Sequence, residues 1–224
     1  MPRLKLKRFK VKQPSADALE RYYRVYDPID LYYRPATVTP VTSSALFGND
    51  HPLALDLGCG RGEFVVQRAA ERPDGNFVGI DRHVKSLWDG VNQAEQAGVA
   101  NARFIKADVR LVFNVVPDAS VSEVTMLFPP TSSVNAAKRK SDPLPEDVLR
   151  EIYRVLQPGA PFHFVSDHAD YFAWKRGMIA ESGLFEIVLV QRGFEGGQTR
   201  FQRIWENFEI ESRRLDCRKK ESRI

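Results

Sequence analysis

The sequence predicts an α/β fold in which a mostly parallel sheet has helices on both faces. From residue 53 onward, short apolar runs alternate with segments of helical period, which is typical of β-α-β units. A glycine-rich turn follows the first apolar run, and the second apolar run ends in an acid. Ligands of open α/β sheets bind beyond the carboxyl ends of the strands. These observations therefore predict a binding site at that edge.

The individual elements follow from apolar periodicity and from glycine and proline boundaries. The predicted strands span residues 53–57, 76–81, 102–106, 122–127, 161–166, 185–191 and 199–208. The predicted helices span residues 63–71, 84–97, 109–114, 145–156 and 171–182, with a short helix at 17–26 before them. Glycines separate the last two of the seven strands, so we expect these strands to form an antiparallel C-terminal hairpin at the sheet edge.

A chain of 224 residues suits one large domain with short extensions. We expect a basic, aromatic N-terminal arm at residues 1–50, the main domain at 51–210 and a basic tail at 211–224. Positive charge is concentrated in residues 1–12, 138–140 and 213–220 within a net charge of +4. Such clusters indicate a polyanionic partner, most simply RNA, although charged tails also keep proteins soluble.

Several classes of protein are disfavoured by composition. No apolar run approaches the roughly 20 residues that span a membrane, and the basic N-terminus lacks the apolar segment of a secretory signal. The two cysteines, Cys59 and Cys217, are far apart, and the histidines have no ligand spacing. These features predict a cytoplasmic protein with no membrane partner and no metal, and none of them predicts an oligomeric state.

The predicted arm is rich in tyrosine, with arginines between the rings. Two interpretations are open. The rings and guanidinium groups can stack on nucleic acid bases, or the rings can pin the arm onto the core, which is the favoured interpretation. The tyrosines concerned are Tyr22, Tyr23, Tyr26, Tyr32 and Tyr33.

The turn after the first strand contains Gly58, Gly60 and Gly62. Glycine lets the backbone approach a ligand where a Cβ atom would clash. Asp81, at the tip of the second strand, has a carboxylate that can accept hydrogen bonds from both hydroxyls of a ribose. The pattern therefore predicts a site for the nucleoside part of a cofactor. The alternative is an ordinary strand–helix turn with an acid nearby by chance.

The spacing of the glycines separates two cofactor classes. A dinucleotide fingerprint is Gly-x-Gly-x-x-Gly, with the pyrophosphate at the helix N-terminus. Here the glycines alternate, Glu63 opens the helix and Asp56 precedes the loop. Carboxylates at these positions would repel a pyrophosphate, but they would not repel a phosphate-free cofactor with a positive sulfonium.

Over roughly residues 53–190 this pattern resembles the class I S-adenosylmethionine-dependent methyltransferases. The resemblance implies a Rossmann-like fold and S-adenosyl-L-methionine as cofactor, with the loop at its methionine part and Asp81 at its ribose. It also implies that Asp108, after the third strand, lies near the adenine, although this residue alone could be a helix N-cap. The implied cofactor-binding residues are Asp56, Gly58, Gly60, Gly62, Asp81, Arg82, Asp108, Val109 and Phe128.

Three later segments resemble, in order, motifs of the bacterial tRNA (guanine-N7)-methyltransferase family. They are Phe-Pro-Pro-Thr at 128–131 with the basic run at 138–140, Ser-Asp-His at 166–168, and Thr-Arg-Phe-Gln at 199–202. The resemblance implies a tRNA substrate, with Asp167 as the catalytic acid beside guanine. The implied substrate-binding residues are Pro129, Lys138, Arg139, Lys140, Asp167, Thr199 and Gln202.

The chain departs from the family pattern at two acids. The family's Asp is replaced by Pro130 or lost, and Gln202 stands where the family has Glu. In addition, no Trp follows Pro130, and the family's His in the basic run has no counterpart. Since a Gln carbonyl accepts a hydrogen bond without a charge, Asp167 is the main acid left for the guanine edge, unless it is a helix N-cap instead.

Three functions follow as hypotheses. The first is methyl transfer to guanine N7 in tRNA. The second is methyl transfer to a different base, a different RNA or a small molecule, which the altered loop after the fourth strand would favour. The third is a divergent RNA-binding module that keeps the cofactor pocket without turnover.

Overall fold

The computed structural model describes residues 11–131, 142–192 and 211–221. These ranges contain one eight-stranded sheet of order β1-β4-β3-β2-β5-β6-β8-β7. Neighbours from β1 through β6 are parallel, and β8 is antiparallel to both β6 and β7. The strands are β1 Tyr23–Val25, β2 Leu53–Leu57, β3 Asn76–Asp81, β4 Ala102–Lys106, β5 Glu123–Leu127, β6 Pro161–Ser166, β7 Phe185–Arg192 and β8 Arg213–Lys219. The predicted α/β class and mostly parallel sheet are confirmed, with eight strands instead of seven.

The helices between residues 63 and 182 largely follow the predicted bounds. In chain order the helices are α1 Ala16–Tyr22, α2 Pro28–Tyr33, α3 Ser43–Phe47, α4 Glu63–Glu71, α5 Val84–Ala97, α6 Val109–Val112, α7 Glu146–Val155 and α8 Ala169–Glu181. Two of them, α2 and α3, were not predicted. The predicted helix at 109–114 is instead α6 followed by a 3₁₀ turn, Phe113–Val115. No helix within the described ranges has both the length and the apolar character needed to cross a bilayer.

Part of the predicted N-terminal arm belongs to the sheet. The predicted helix at 17–26 ends at Tyr22, and the chain continues as β1, which pairs in parallel with β4. The Tyr22 hydroxyl donates to the Val99 carbonyl oxygen at 2.9 Å and anchors α1 on the sheet. A three-residue strand is too short to show a period of two, so its pairing with a distant strand gave no local signal.

The C-terminal hairpin pairs differently from the prediction. The predicted strand at 199–208 lies outside the described residues, and the observed partner of β7 is β8, where a basic tail was expected. Leu215 and Cys217 are fully buried, and charged residues alternate with them. High charge concealed this alternation, which is the ordinary pattern of a half-buried strand. The division into domains at 50 and 210 stays a prediction.

Apolar side chains cover both faces of the sheet. One face packs against α1, α4 and α5, and the larger core lies on the other face beneath α7 and α8. Helix α7 buries four apolar side chains that share one face, as its period of 3.6 predicts: Val148, Leu149, Ile152 and Val155.

Candidate active site

The loops after β2 to β6 all leave the sheet at its carboxyl edge, because these strands are parallel. The sheet order reverses between β2 and β5, and the crevice at such a switch point is where open α/β sheets bind ligands. The predicted residues in loops 58–62, 81–82, 108–109, 128–131 and 166–168 therefore share one edge.

Gly58 and Gly60 give the first loop its shape. Both have left-handed backbone angles, with φ of +77° and +55°, and no atom lies within 4 Å of where a Cβ would stand. The Gly58 amide donates to the Ile80 carbonyl oxygen at 2.8 Å, and the Gly60 amide donates to Asp81 Oδ2 at 3.0 Å. The loop is therefore tied to the end of β3, with open space beside its backbone.

Gly62 has a different task from the other two glycines. It is the N-cap of α4, with φ of +74°. A Cβ there would overlap the Phe104 ring, with Cζ at 2.9 Å, and would lie 3.1 Å from the Gly90 Cα. Its lack of a side chain lets α4 pack against α5 and β4. The observed contacts therefore explain on structural grounds why a glycine occupies this position.

Replacing Gly62 by alanine should lower the free energy of unfolding by about 2 kcal/mol more than the matched Gly98→Ala change. Gly98 has a similar φ of +66° but nothing within 4 Å of its Cβ position. Both changes cost left-handed strain, whereas only Gly62→Ala overpacks a fully buried ring. Urea unfolding of both variants measures the difference. Equal losses would show that the Phe104 contact is tolerated.

Asp81 is the acid at the end of β3. Besides accepting from Gly60, it accepts at Oδ1 from the His83 amide at 2.8 Å, and His83 Nδ1 lies 3.0 Å from the same oxygen. The carboxylate is thus held in one orientation by its own loop and by the start of α5. The contact with His83 was missed from the sequence, although its position two residues after the acid was a usable signal.

Asp56 lies at the base of the loop, within the sheet. Its Oδ1 accepts from the Thr125 hydroxyl at 2.8 Å, and the residue is buried. The pKa of Asp56 is raised to about 7, mainly by burial and in smaller part by the nearby acids Asp81 and Glu123, against the opposing effect of the Thr125 hydrogen bond. The structure places Asp56 beneath the predicted cofactor loop, and its contact with a cofactor stays a prediction.

Asp108 is exposed and caps α6, since its Oδ1 accepts from the Arg110 amide at 2.8 Å. The N-cap role left open by the sequence is therefore present. Val109 begins the helix, and Arg82 is exposed at the end of β3. All three residues lie at the carboxyl edge, and their predicted roles toward an adenine or ribose stay predictions.

Phe128 follows β5 in a backbone conformation that is rare for a bulky residue, with φ of +51°. Its amide donates to the Val165 carbonyl oxygen at 2.9 Å, and its ring packs in a small cluster with Phe64 and Val165. Pro129 is buried behind it. The loop after β5 therefore starts from a fixed point between the glycine loop and the end of β6.

Asp167 follows β6 and is half-buried. The N-cap of α8 is His168, whose Nδ1 accepts from the Tyr171 amide at 3.4 Å, so the alternative cap role of Asp167 is not what the structure shows. Burial raises the pKa of Asp167, while its backbone hydrogen bond and the neighbouring His168 act against that rise. The carboxyl group is thus placed at the crevice without a capping role.

A buried polar cluster holds the far end of the loop after β5. The Lys175 ammonium group of α8 contacts Asp142 Oδ2 and donates to the Leu144 carbonyl oxygen at 2.8 Å. The Tyr171 hydroxyl donates to Asp142 Oδ1 at 2.9 Å. Lys175 lies on the buried face of α8. A lysine at such a position in the sequence indicates a buried acidic partner, but this signal was missed from the sequence.

Five predicted substrate residues lie outside the described residues, and their roles stay predictions: Lys138, Arg139, Lys140, Thr199 and Gln202. Among the described residues, no group of three potential metal-ligating side chains occurs.

Comparison with known proteins identifies the family. A model of a putative methyltransferase family matches residues 50–221. A tRNA (guanine-N(7)-)-methyltransferase of Rubrobacter xylanophilus is 33% identical over 210 residues, which cover 92% of this chain and 94% of that protein. A protein of the same description from Chloroherpeton thalassium is 34% identical over 181 residues, covering 81% of this chain and 80% of the relative.

Solved structures support the fold. The 16S rRNA methyltransferase KamB superposes with a TM-score of 0.60 at 17% identity, over 78% of this chain and 91% of that chain. An antibiotic-related methyltransferase superposes with a TM-score of 0.58 at 16% identity, over 83% and 97% of the two chains. At such identities the likeness shows the methyltransferase fold alone. The family model and the sequence relatives show that the chain belongs to the tRNA (guanine-N7)-methyltransferase family.

Proposed function

We propose that this protein transfers a methyl group from S-adenosyl-L-methionine to N7 of guanine in tRNA. The observation that carries the proposal is the Asp81 carboxylate, which is bound to the glycine loop through the Gly60 amide at the carboxyl edge of the sheet, one strand away from the switch point. The names of the curated relatives support the choice of substrate and position.

The residues present fit this cofactor. Open space lies beside the backbone of Gly58 and Gly60, where a ligand can approach. Asp81 supplies a carboxylate for ribose hydroxyls, and the acids around the loop suit a cofactor that has no phosphate. When bound, S-adenosyl-L-methionine supplies an electrophilic methyl group on a positively charged sulfur. We assign Asp108, Val109 and Phe128 to the adenosine side of the same crevice.

The substrate side of the proposal rests on Asp167. Guanine N7 has a lone pair and needs no base, so the protein's tasks are alignment of the base and exclusion of water. Guanine presents hydrogen-bond donors at its ring NH and its amino group, and the Asp167 carboxylate can accept hydrogen bonds from both. A half-buried carboxylate is also less screened than an exposed one, so it stabilises the positive charge that develops on the ring more strongly.

We assign RNA contacts to the segments on either side of this acid. In the sequence, Pro129 and the basic residues Lys138, Arg139 and Lys140 lie between β5 and α7, and Thr199 and Gln202 lie between β7 and β8. A tRNA substrate and a cytoplasmic location complete the proposal.

Asp167→Asn should lower the turnover number for methyl transfer to tRNA by about 10- to 100-fold. The amide keeps the size of the side chain but loses the charge beside the guanine. The dissociation constant of the cofactor should stay within about twofold, because Asp81 and the glycine loop are unchanged. Initial rates with labelled cofactor and saturating tRNA, together with calorimetry, separate the two effects.

The matched control is Asp170→Asn, because Asp170 lies three residues further along, is exposed, and is in the first turn of α8. This control should leave both the turnover number on tRNA and the dissociation constant of the cofactor unchanged. Full turnover of Asp167→Asn on tRNA would remove the role assigned to Asp167.

A further inference from the structure

The first feature is an exposed aromatic surface beside the β1 edge of the sheet, which we call the β1 edge surface. Tyr32 and Tyr33 are 62% and 73% exposed, and the adjacent Val25 and Ile29 are 57% and 60% exposed. Between them, Leu31 is fully buried in the core. Helix α2 is therefore held by one side chain while its aromatic side chains face solvent.

The tyrosines of this segment divide into two groups. Tyr22 and Tyr26 are 2% and 5% exposed, so they account for the pinning of the chain onto the core. Tyr32 and Tyr33 contribute little to that packing, and their rings meet edge to face with centroids 4.7 Å apart. Exposing two large rings side by side gives no gain in folding, which points to a ligand for this surface.

The surface lies at the same edge of the sheet as the active-site crevice. Strand β1 is parallel to β4, so α2, which follows β1, lies at the carboxyl edge. It packs against α6, the helix that Asp108 caps, and Asn114 donates to the Leu31 carbonyl oxygen at 3.0 Å. A ligand that spans the crevice can therefore reach the β1 edge surface.

Three arginines lie on β1 or on elements that precede it or pair with it: Arg21 in α1, Arg24 in β1 and Arg103 in β4. Arg24 donates to the backbone carbonyl oxygens of Glu20 and Tyr23 at 2.5 and 2.8 Å, and both of these acceptors are uncharged. The Arg103 guanidinium lies 4.5 Å from the centre of the Phe47 ring. The pKa of Arg103 is lowered to about 10, mainly by burial, with a smaller contribution from the positive charges of Arg24 and Arg21.

We propose that the β1 edge surface binds the tRNA substrate away from the reacting guanine, with Tyr32 and Tyr33 stacking on unpaired bases and the arginines contacting phosphates. This inference rests on the proposed function. Exposed aromatic rings on a surface that continues from the active-site edge match the chemistry of single-stranded or looped RNA, in which unstacked bases are accessible. Arg34 is paired with Asp30 at 2.5 Å, and Arg103 donates to the Ala100 and Ala102 carbonyl oxygens, so we assign phosphate contacts to Arg21 and Arg24.

The test compares two double variants of the full chain. Tyr32→Ala with Tyr33→Ala should raise the KM for tRNA and its dissociation constant about tenfold or more, because each lost stacking contact weakens binding. Tyr32→Phe with Tyr33→Phe keeps the ring faces and should stay within about twofold. The cofactor dissociation constant and melting temperature should not change. Val188→Ala with Val190→Ala, exposed on β7 at the opposite edge, is the matched control.

The outcomes separate this inference from the proposed function. If the wild-type protein forms 7-methylguanosine and the alanine pair binds tRNA as tightly as wild type, the β1 edge surface is not an RNA site although the function stands. If the wild type binds tRNA through these rings but forms no 7-methylguanosine, the inference stands and the proposed function fails. A dimer that the alanine pair abolishes, with tRNA binding unchanged, would make this a self-association surface and overturn the inference.

Discussion

Replacing Asp81 by asparagine should raise the dissociation constant of S-adenosyl-L-methionine by about 10- to 100-fold. A hydrogen bond to a charged group contributes about 1.5–3 kcal/mol, and the amide lacks the charge and half of the acceptor capacity of a carboxylate. The substitution also weakens the tie between the loop and β3, because Asp81 accepts from the Gly60 and His83 amides with different oxygens. Titration calorimetry with the cofactor measures the effect directly.

Asp74→Asn is the matched control for this change. Asp74 is exposed and precedes β3, so it lies at the opposite edge of the sheet from the crevice. Its substitution should leave the dissociation constant unaltered. If Asp81→Asn bound the cofactor as tightly as wild type, the ribose assignment would be wrong and the crevice would hold its ligand in another way.

Replacing Lys175 by methionine should lower the free energy of unfolding by about 3–5 kcal/mol. Lys175 is fully buried, and its removal would leave the buried Asp142 carboxylate without its ion-pair partner. The remaining hydrogen bonds from Tyr171 and the Leu144 amide do not neutralise that charge. Urea or thermal unfolding of the purified variant measures the loss.

The second variant in this test combines Lys175→Met with Asp142→Asn, which removes both charges. It should recover much of the lost stability, because the uncompensated buried charge is the main cost and the asparagine can still accept from Tyr171. Residues 130–141 separate Asp142 from Pro129, and Lys175 belongs to α8, the helix that follows Asp167. The pair therefore ties the start of the segment that leads into α7 to the helix that follows Asp167. A loss below about 1 kcal/mol in Lys175→Met would contradict this account.

The parts of the fold that could be predicted from sequence are those with a local signal. Strands β2 and β3 are apolar runs bounded by turn residues, and the glycines between them mark the loop that Asp81 closes. Strands β1 and β8 were missed because their pairing is a non-local property. Strand β1 has only three residues, and β8 has more charged residues than is usual for a strand that lies between two neighbours, here β6 and β7.

The roles of Asp108 and Asp167 could not be decided from the sequence alone. Asp108 and Asp167 each follow a strand and stand near a helix start, so the same two roles were open for both. In the structure Asp108 is an N-cap, whereas His168 takes that position after β6. The difference is a one-residue shift of the helix start, which propensities do not resolve. The Lys175–Asp142 contact, 33 residues apart, was likewise beyond any local pattern.

The central claim is methyl transfer to guanine N7 in tRNA. Its most direct test incubates the protein with labelled S-adenosyl-L-methionine and total tRNA from a strain that lacks the guanine-N7 enzyme, followed by nucleoside mass spectrometry. We predict label in 7-methylguanosine, which would also show that Pro130 and Gln202 are compatible with the activity. Label in another nucleoside, or no label despite calorimetric binding of the cofactor, would contradict the claim.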